Sequence, residues 1–201
     1  LKRSLIVIDD FLDNPMPLRA AGLAQEYPEY DKKPPYPGRN SKYQQLINGL
    51  DQKMADVVGE PLVPVAGTAH GKFRLALEGD KGIHGVHIDN CHWTMILFLT
   101  LPEHCQGGTH LYRHKETGTD AVDPGNMAAL GIDGQADFEE KFLFPQTNDA
   151  SKWEEIMTIP MRFNRLMIFR PQQWHDAGIS FGDCKENGRL IYLGSYNHAG
   201  Y

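Results

Sequence analysis

The spacing of apolar positions changes character near Pro61, helical before it and strand-like after it. Leu5–Ile8 reads as a short buried strand. Asp13-Asn14-Pro15 then offers an N-cap followed by a proline suited to the first helical turn, which predicts a helix from about Pro15 to Tyr27. Residues 28–40 hold four prolines and form a loop, either a rim to a site or a connector. Ser41 and Gln44 make a capping-box pattern, and Tyr43, Leu46, Ile47, Leu50, Met54 and Val57 repeat at helical spacing, so a second helix is expected to stop near Gly59.

Beyond Pro61 come short segments divided by Gly, Pro and Asp. Leu62–Val65 and Lys72–Glu78 are strands, the latter turning Phe73, Leu75 and Leu77 inward. Thr94–Leu101 is apolar on both faces and therefore central, and Gln106-Gly107-Gly108-Thr109 is a tight turn into a strand over Thr109–Tyr112. Ile159–Phe163, Arg165–Phe169 and Arg189–Tyr196 complete the set. Residues 113–158 interrupt it with two expected short helices, Ala136–Phe142 and Lys152–Ile156, and a stretch of this length is expected to act as a lid over the site. The order implies an α+β chain forming one domain over 1–201. A helical flank (1–60) packs on one sheet of a double-stranded β-helix, or jelly roll (61–201), that carries the 113–158 insertion.

Composition narrows the function. With 201 residues, 41% apolar and 23% charged, the chain can bury a real core. A net charge of −6 and a pI near 5.8 argue against general nucleic-acid binding. Three cysteines without a Cys-x-x-Cys pair suggest a reducing compartment. The first apolar run is too short for a signal sequence, and no segment is long enough to span a membrane, so a cytoplasmic location is expected.

The candidate chemistry centres on His87-Ile88-Asp89, which leads into the central apolar run. In an extended chain, residues two apart share a face, so the imidazole and the carboxylate can address one atom, most simply a metal. A second histidine, in Trp174-His175-Asp176, would complete two histidines and one carboxylate, the site type of non-haem iron(II) oxygenases. His84, His92, His110 and His114 offer rival ligands for a cupin-like site, and Cys91 lies beside the motif. Gly178-Ile179-Ser180-Phe181-Gly182 matches the hydrolase nucleophile elbow, but a polar turn follows where that motif needs a helix.

His87-x-Asp89, Gly107-Gly108-Thr109, the strand ending Phe169-Arg170-Pro171, His175 and Arg189 together resemble the iron(II)- and 2-oxoglutarate-dependent dioxygenases, in particular their prolyl-hydroxylase-like branch. Val7-Ile8-Asp9-Asp10-Phe11-Leu12-Asp13-Asn14-Pro15 and Asn164-Arg165-Leu166 are similar to a bacterial branch with no assigned substrate. The resemblance implies that His87, Asp89 and His175 hold Fe(II) and that Arg189 grips the distal carboxylate of the cosubstrate 2-oxoglutarate. It also implies that dioxygen is consumed in hydroxylating a C–H bond of an amino acid, peptide or small metabolite. The family often places a tyrosine on the strand ahead of His-x-Asp and a hydroxyl two residues beyond the basic residue. Here stand Phe73, Leu75 and Leu77, and Ile191, which leaves Trp93, Thr94, Tyr112 and Tyr192 as candidates for further cosubstrate contacts. The alternative is a non-catalytic or cupin-like metal-binding jelly-roll module.

Overall fold

A computed structural model describes residues 3–122 and 124–200; Leu1, Lys2, Asp123 and Tyr201 lie outside the described residues. The chain builds two antiparallel sheets. The large sheet contains β1 (Leu5–Ile8), β2 (Arg39–Asn40), β3 (Leu62–Pro64), β4 (Phe73–Ala76), β5 (Trp93–Phe98), β8 (Leu166–Phe169) and β10 (Arg189–His198), and the small one contains β6 (Gly108–His114), β7 (Trp153–Pro160) and β9 (His175–Asp176). Strand order is β1-β8-β5-β10-β4-β2, with β3 paired to β10, and β7-β6-β9 in the small sheet.

β5 is buried at every position because both of its faces are covered. Trp93, Met95 and Leu97 face a core shared with Phe73, Leu75, Leu190, Tyr192 and two helices, α1 (Met16–Ala24) and α2 (Leu50–Val58). The alternate residues Ile96 and Phe98 join Met167, Phe169 and Ile191 in a second core that meets Leu111 and Ile159 of the small sheet. Period-two alternation therefore sends Phe73 and Leu75 to the helical side and leaves Arg74, opposite Ile191 in the register, on the side that faces the small sheet. α1 approaches closely enough that a Cβ on Gly22 would lie 2.9 Å from the Phe73 ring.

Two expected helices are corrected. Residues 43–49 are not helical, because the supposed capping residues are used across the sheet: the Ser41 hydroxyl accepts from the Phe73 N–H and the Gln44 amide donates to the His70 carbonyl. The helix starts only after Gly49, at φ +77°, and Tyr43 and Leu46 are exposed. The expected helix Lys152–Ile156 is absent: Lys152 closes a 3-10 turn, Ala150–Lys152, and Trp153–Ile156 open the edge strand β7. The other expected helix of the insertion is present in altered form, as a helical turn over Gly134–Asp137 continued by a π-helical segment, Phe138–Leu143.

The insertion also packs elsewhere than expected. Ile132, Phe138, Phe142, Leu143 and Trp153 build a third core against Val86 and Trp174, the residues that immediately precede His87 and His175. The carbonyl of Thr147 accepts from the Val86 N–H at 2.9 Å and sits where a Cβ on Gly85 would be, 2.5 Å away, so a glycine is required there. The insertion thus backs the strands that carry His87 and His175. It does not form the expected lid, since none of its described residues lines the cavity on the other side.

Candidate metal and anion site

His87 and His175 face each other across a β-bridge and exchange backbone hydrogen bonds, His87 N–H to the His175 carbonyl at 2.8 Å and the reverse at 3.0 Å. In such a pair the two side chains share a face, and their rings lie 4.3 Å apart. Each ring donates Nδ1–H to a carbonyl two residues back, His87 to Gly85 and His175 to Gln173, both at 2.8 Å. The tautomer is thereby set, and the Nε2 lone pairs are left pointing at Asp89, whose carboxylate lies 3.9 Å from His87 Nε2 and 3.6 Å from His175 Nε2. The three ligand atoms lie within 4.8 Å of one another and form the one such cluster among the described residues.

Asp89 is oriented by two hydroxyls, Tyr36 donating to Oδ1 and Thr94 to Oδ2, each at 3.1 Å. Burial raises its carboxyl pKa, but the neighbouring His175 and His87 rings and the Tyr36 hydroxyl outweigh this and hold it well below the usual carboxylate range. Burial, aided by the neighbouring His175, pushes the His87 imidazole down to about 3, so it stays neutral, the form that donates a lone pair.

The cluster opens into a cavity of about 480 Å³ floored by β5, β8 and β10 through Thr94, Ile96, Phe169 and Ile191. Arg189 lies in the same cavity, only 3% exposed, and its Nη2 has no hydrogen-bond partner. A buried guanidinium nitrogen left unpaired costs free energy unless a ligand satisfies it, which makes this atom a candidate position for an anion. Burial, with the nearby charge of Arg74, lowers the Arg189 pKa to about 10, which leaves it a cation at neutral pH.

The rival histidines are engaged otherwise: His92 with Glu60, His110 with Asp176, and His114 with Thr117 and Gln146, while His84 stacks on Phe144. Among the further candidates only Thr94 both lines the cavity and touches the cluster. Trp93 and Tyr192 face the helical core, with the Trp93 indole on Glu60 and the Tyr192 hydroxyl on the Gln45 carbonyl, and Tyr112 donates to Asp176. Ser180 lies in a loop with no helix before β10, which removes the hydrolase motif. Cys91 lines the cavity with its thiol pushed up to about 11 by burial, hence protonated.

Two functional features go beyond what the residue pattern reveals or decides between. The loop over residues 28–40 is a rim, contributing Tyr30, Pro35, Tyr36 and Asn40 to the cavity, with the Tyr36 ring 4.4 Å from that of His87. Its proline content signalled a loop but not its destination. Arg74 is the other, concealed because it alternates with the apolar residues that define its strand.

No curated protein matches the sequence. Among solved structures, the chain is similar in fold to HygX from Streptomyces hygroscopicus. The complex of that protein with nickel, 2-oxoglutarate and hygromycin B aligns with TM-score 0.52 and 10% identity over 100% of this chain and 85% of that one, and its complex with nickel and 2-oxoglutarate with TM-score 0.51 and 12% identity over the same shares. EvdMO1 aligns with TM-score 0.54 and 14% identity over 99% of this chain, which spans about half, 48%, of EvdMO1. No helix among the described residues is long and apolar enough to cross a membrane. Over residues 2–192 the sequence matches DUF6445, a family of unknown function, and the chain belongs to that family.

Proposed function

We propose that this protein is an iron(II)- and 2-oxoglutarate-dependent oxygenase built on a double-stranded β-helix, and that it hydroxylates a C–H bond of a small molecule or peptide. The observation that carries the reading is the joint presence, in one cavity, of a converging His–His–carboxylate set and a buried guanidinium with an unpaired nitrogen. A metal alone would need no such cation, and an anion site alone would need no converging lone pairs. The donor set suits iron, with two imidazole nitrogens and one carboxylate oxygen leaving coordination positions free. The fold likeness to HygX, whose structure holds nickel together with 2-oxoglutarate, adds support.

In this reading His87, Asp89 and His175 hold the iron, and Arg189 receives the distal carboxylate of 2-oxoglutarate through its free Nη2. When bound, the metal and cosubstrate supply the oxidising chemistry that no side chain can. The chain's own residues do the rest. Gly85 and Gln173 carbonyls fix the imidazole tautomers, Tyr36 and Thr94 orient the carboxylate, and Ile96, Phe169, Ile191 and Leu193 keep the reacting space apolar.

Calorimetry tests the assignment. Fe(II), titrated anaerobically, should bind one ion per chain, and His87→Ala or His175→Ala should abolish this; 2-oxoglutarate should then bind only to the metal-loaded protein. Retention of metal by both variants, or absence of 2-oxoglutarate binding to the loaded native protein, would refute it.

A further inference from the structure

The cavity holds a second guanidinium that the reading above does not use. Arg74 lines it from β4, beside the rim loop. Its Nε donates to the Asn40 side-chain carbonyl at 2.8 Å, and its guanidinium lies 5.3 Å from the centre of the Tyr36 ring. Tyr36 in turn lies against His87, so Arg74, Tyr36 and the candidate metal position form one continuous wall. Among the described residues no carboxylate lies within ion-pair distance of Arg74. Asp176, another acid whose residue borders the cavity, is taken up by His110, Tyr112 and the Gly178 N–H.

Charge is therefore unbalanced. Asp89 faces the candidate metal position, and the charge of Asp176, held by His110 and Tyr112, acts on Arg189, which leaves Arg74 the guanidinium of the cavity with no carboxylate of its own. Desolvated cations that repel each other are costly, and a bound anion relieves that cost. The geometry narrows the anion. With Nε occupied by Asn40, the two terminal nitrogens remain as a fork that matches the two oxygens of a carboxylate. We propose that Arg74 anchors a carboxylate of the oxidised substrate, so that the site takes a monoanionic acid small enough to share about 480 Å³ with the cosubstrate. This rests on the oxygenase reading.

The test uses the full chain loaded with Ni(II), which does not turn over. Calorimetry with 2-oxoglutarate comes first, on the native protein, Arg74→Gln and Arg74→Lys. With 2-oxoglutarate saturating, short aliphatic acids and N-acetylated amino acids are then titrated, each beside its own primary amide. In the native protein at least one acid should bind roughly tenfold or more tighter than its amide, as expected of a charge-assisted contact. Arg74→Gln should bring that acid down to its amide while shifting 2-oxoglutarate affinity by less than about threefold, and Arg74→Lys should keep part of the preference, since charge remains but the fork is lost. The proposal is overturned if no acid is preferred over its amide by the native protein, or if the preference survives in Arg74→Gln. It is also overturned if Arg74→Gln weakens 2-oxoglutarate about tenfold or more, which would make Arg74 a second anchor for the cosubstrate. Should Arg74→Gln not fold, the acid–amide comparison on the native chain and on Arg74→Lys decides. Failure of 2-oxoglutarate to bind contradicts the oxygenase reading instead, and is read in the first titration.

Discussion

Phe138→Ala would show whether the insertion supports the metal ligands or merely decorates them. Phe138 is 1% exposed and stacks on Phe142 and Trp174 at ring separations of 5.9 and 6.0 Å. Removing a buried phenyl costs about 3–5 kcal/mol, a figure that includes the cavity left behind. For a chain of this size that corresponds to a fall in Tm of about 6–20 °C. Trp174 and Val86 share this core and directly precede His175 and His87, so the loss should propagate to the ligand bridge. Groups that orient metal ligands are typically worth about 10–100-fold in affinity, and a tenfold loss of Ni(II) affinity is expected here. Met54→Ala is the control. Met54 is fully buried in the helix-side core, should cost about 2–5 kcal/mol, and should leave metal affinity unchanged. Chemical denaturation of the apo proteins gives the stabilities and calorimetry gives the affinities. If Phe138→Ala were destabilised but bound Ni(II) like the native protein, or if Met54→Ala lost as much affinity, the supporting role would be refuted.

Thr94→Val removes the hydroxyl that holds Asp89 Oδ2 and should weaken metal binding about tenfold with little loss of fold; an unchanged affinity would contradict the orienting role. Arg189→Met should raise the Kd for 2-oxoglutarate about tenfold or more while leaving Ni(II) affinity within about threefold, and equal losses of both would contradict the division of labour. Glu60→Gln should destabilise the protein by about 1–3 kcal/mol at neutral pH, because Glu60 accepts from His92 at 2.6 Å and from the Trp93 indole and pairs with Arg170. Although burial raises the Glu60 pKa, these partners bring it below its ordinary value, so its stabilisation is present above the unfolded pKa of about 4.3 and is lost as pH falls through the folded pKa. The gap between the native protein and Glu60→Gln in denaturation midpoint should therefore narrow on acidification, and a gap that widens would refute the assignment.

The sequence made legible those parts of the fold that local rules govern. The run from Trp93 to Phe98 is apolar on both faces because it lies centrally between β8 and β10, and the His87-x-Asp89 spacing could be read because an extended chain repeats every two residues. Distant partners were not legible. Ser41 and Gln44 fit a helix cap locally, yet Phe73 and His70, roughly 30 residues away, compete for the same groups and win. Lys152–Ile156 has no feature that separates an edge strand from a helix until β6 is placed beside it. The length of residues 113–158 suggests a lid, and nothing in the spacing of Phe138, Phe142 and Trp153 says which side of the ligand strands they cover. Arg74 escaped for a related reason: its role depends on register with Ile191 and on an Asn40 contact across 34 positions.

The most direct measurement of the central claim is the fate of isotopically labelled 2-oxoglutarate incubated with the Fe(II)-loaded protein in air, followed as succinate and released carbon dioxide. Equimolar formation of both products, dependent on Fe(II) and dioxygen and abolished in Asp89→Ala, is the predicted result. No conversion above the rate of free Fe(II), with metal and 2-oxoglutarate both shown to be bound, would contradict it.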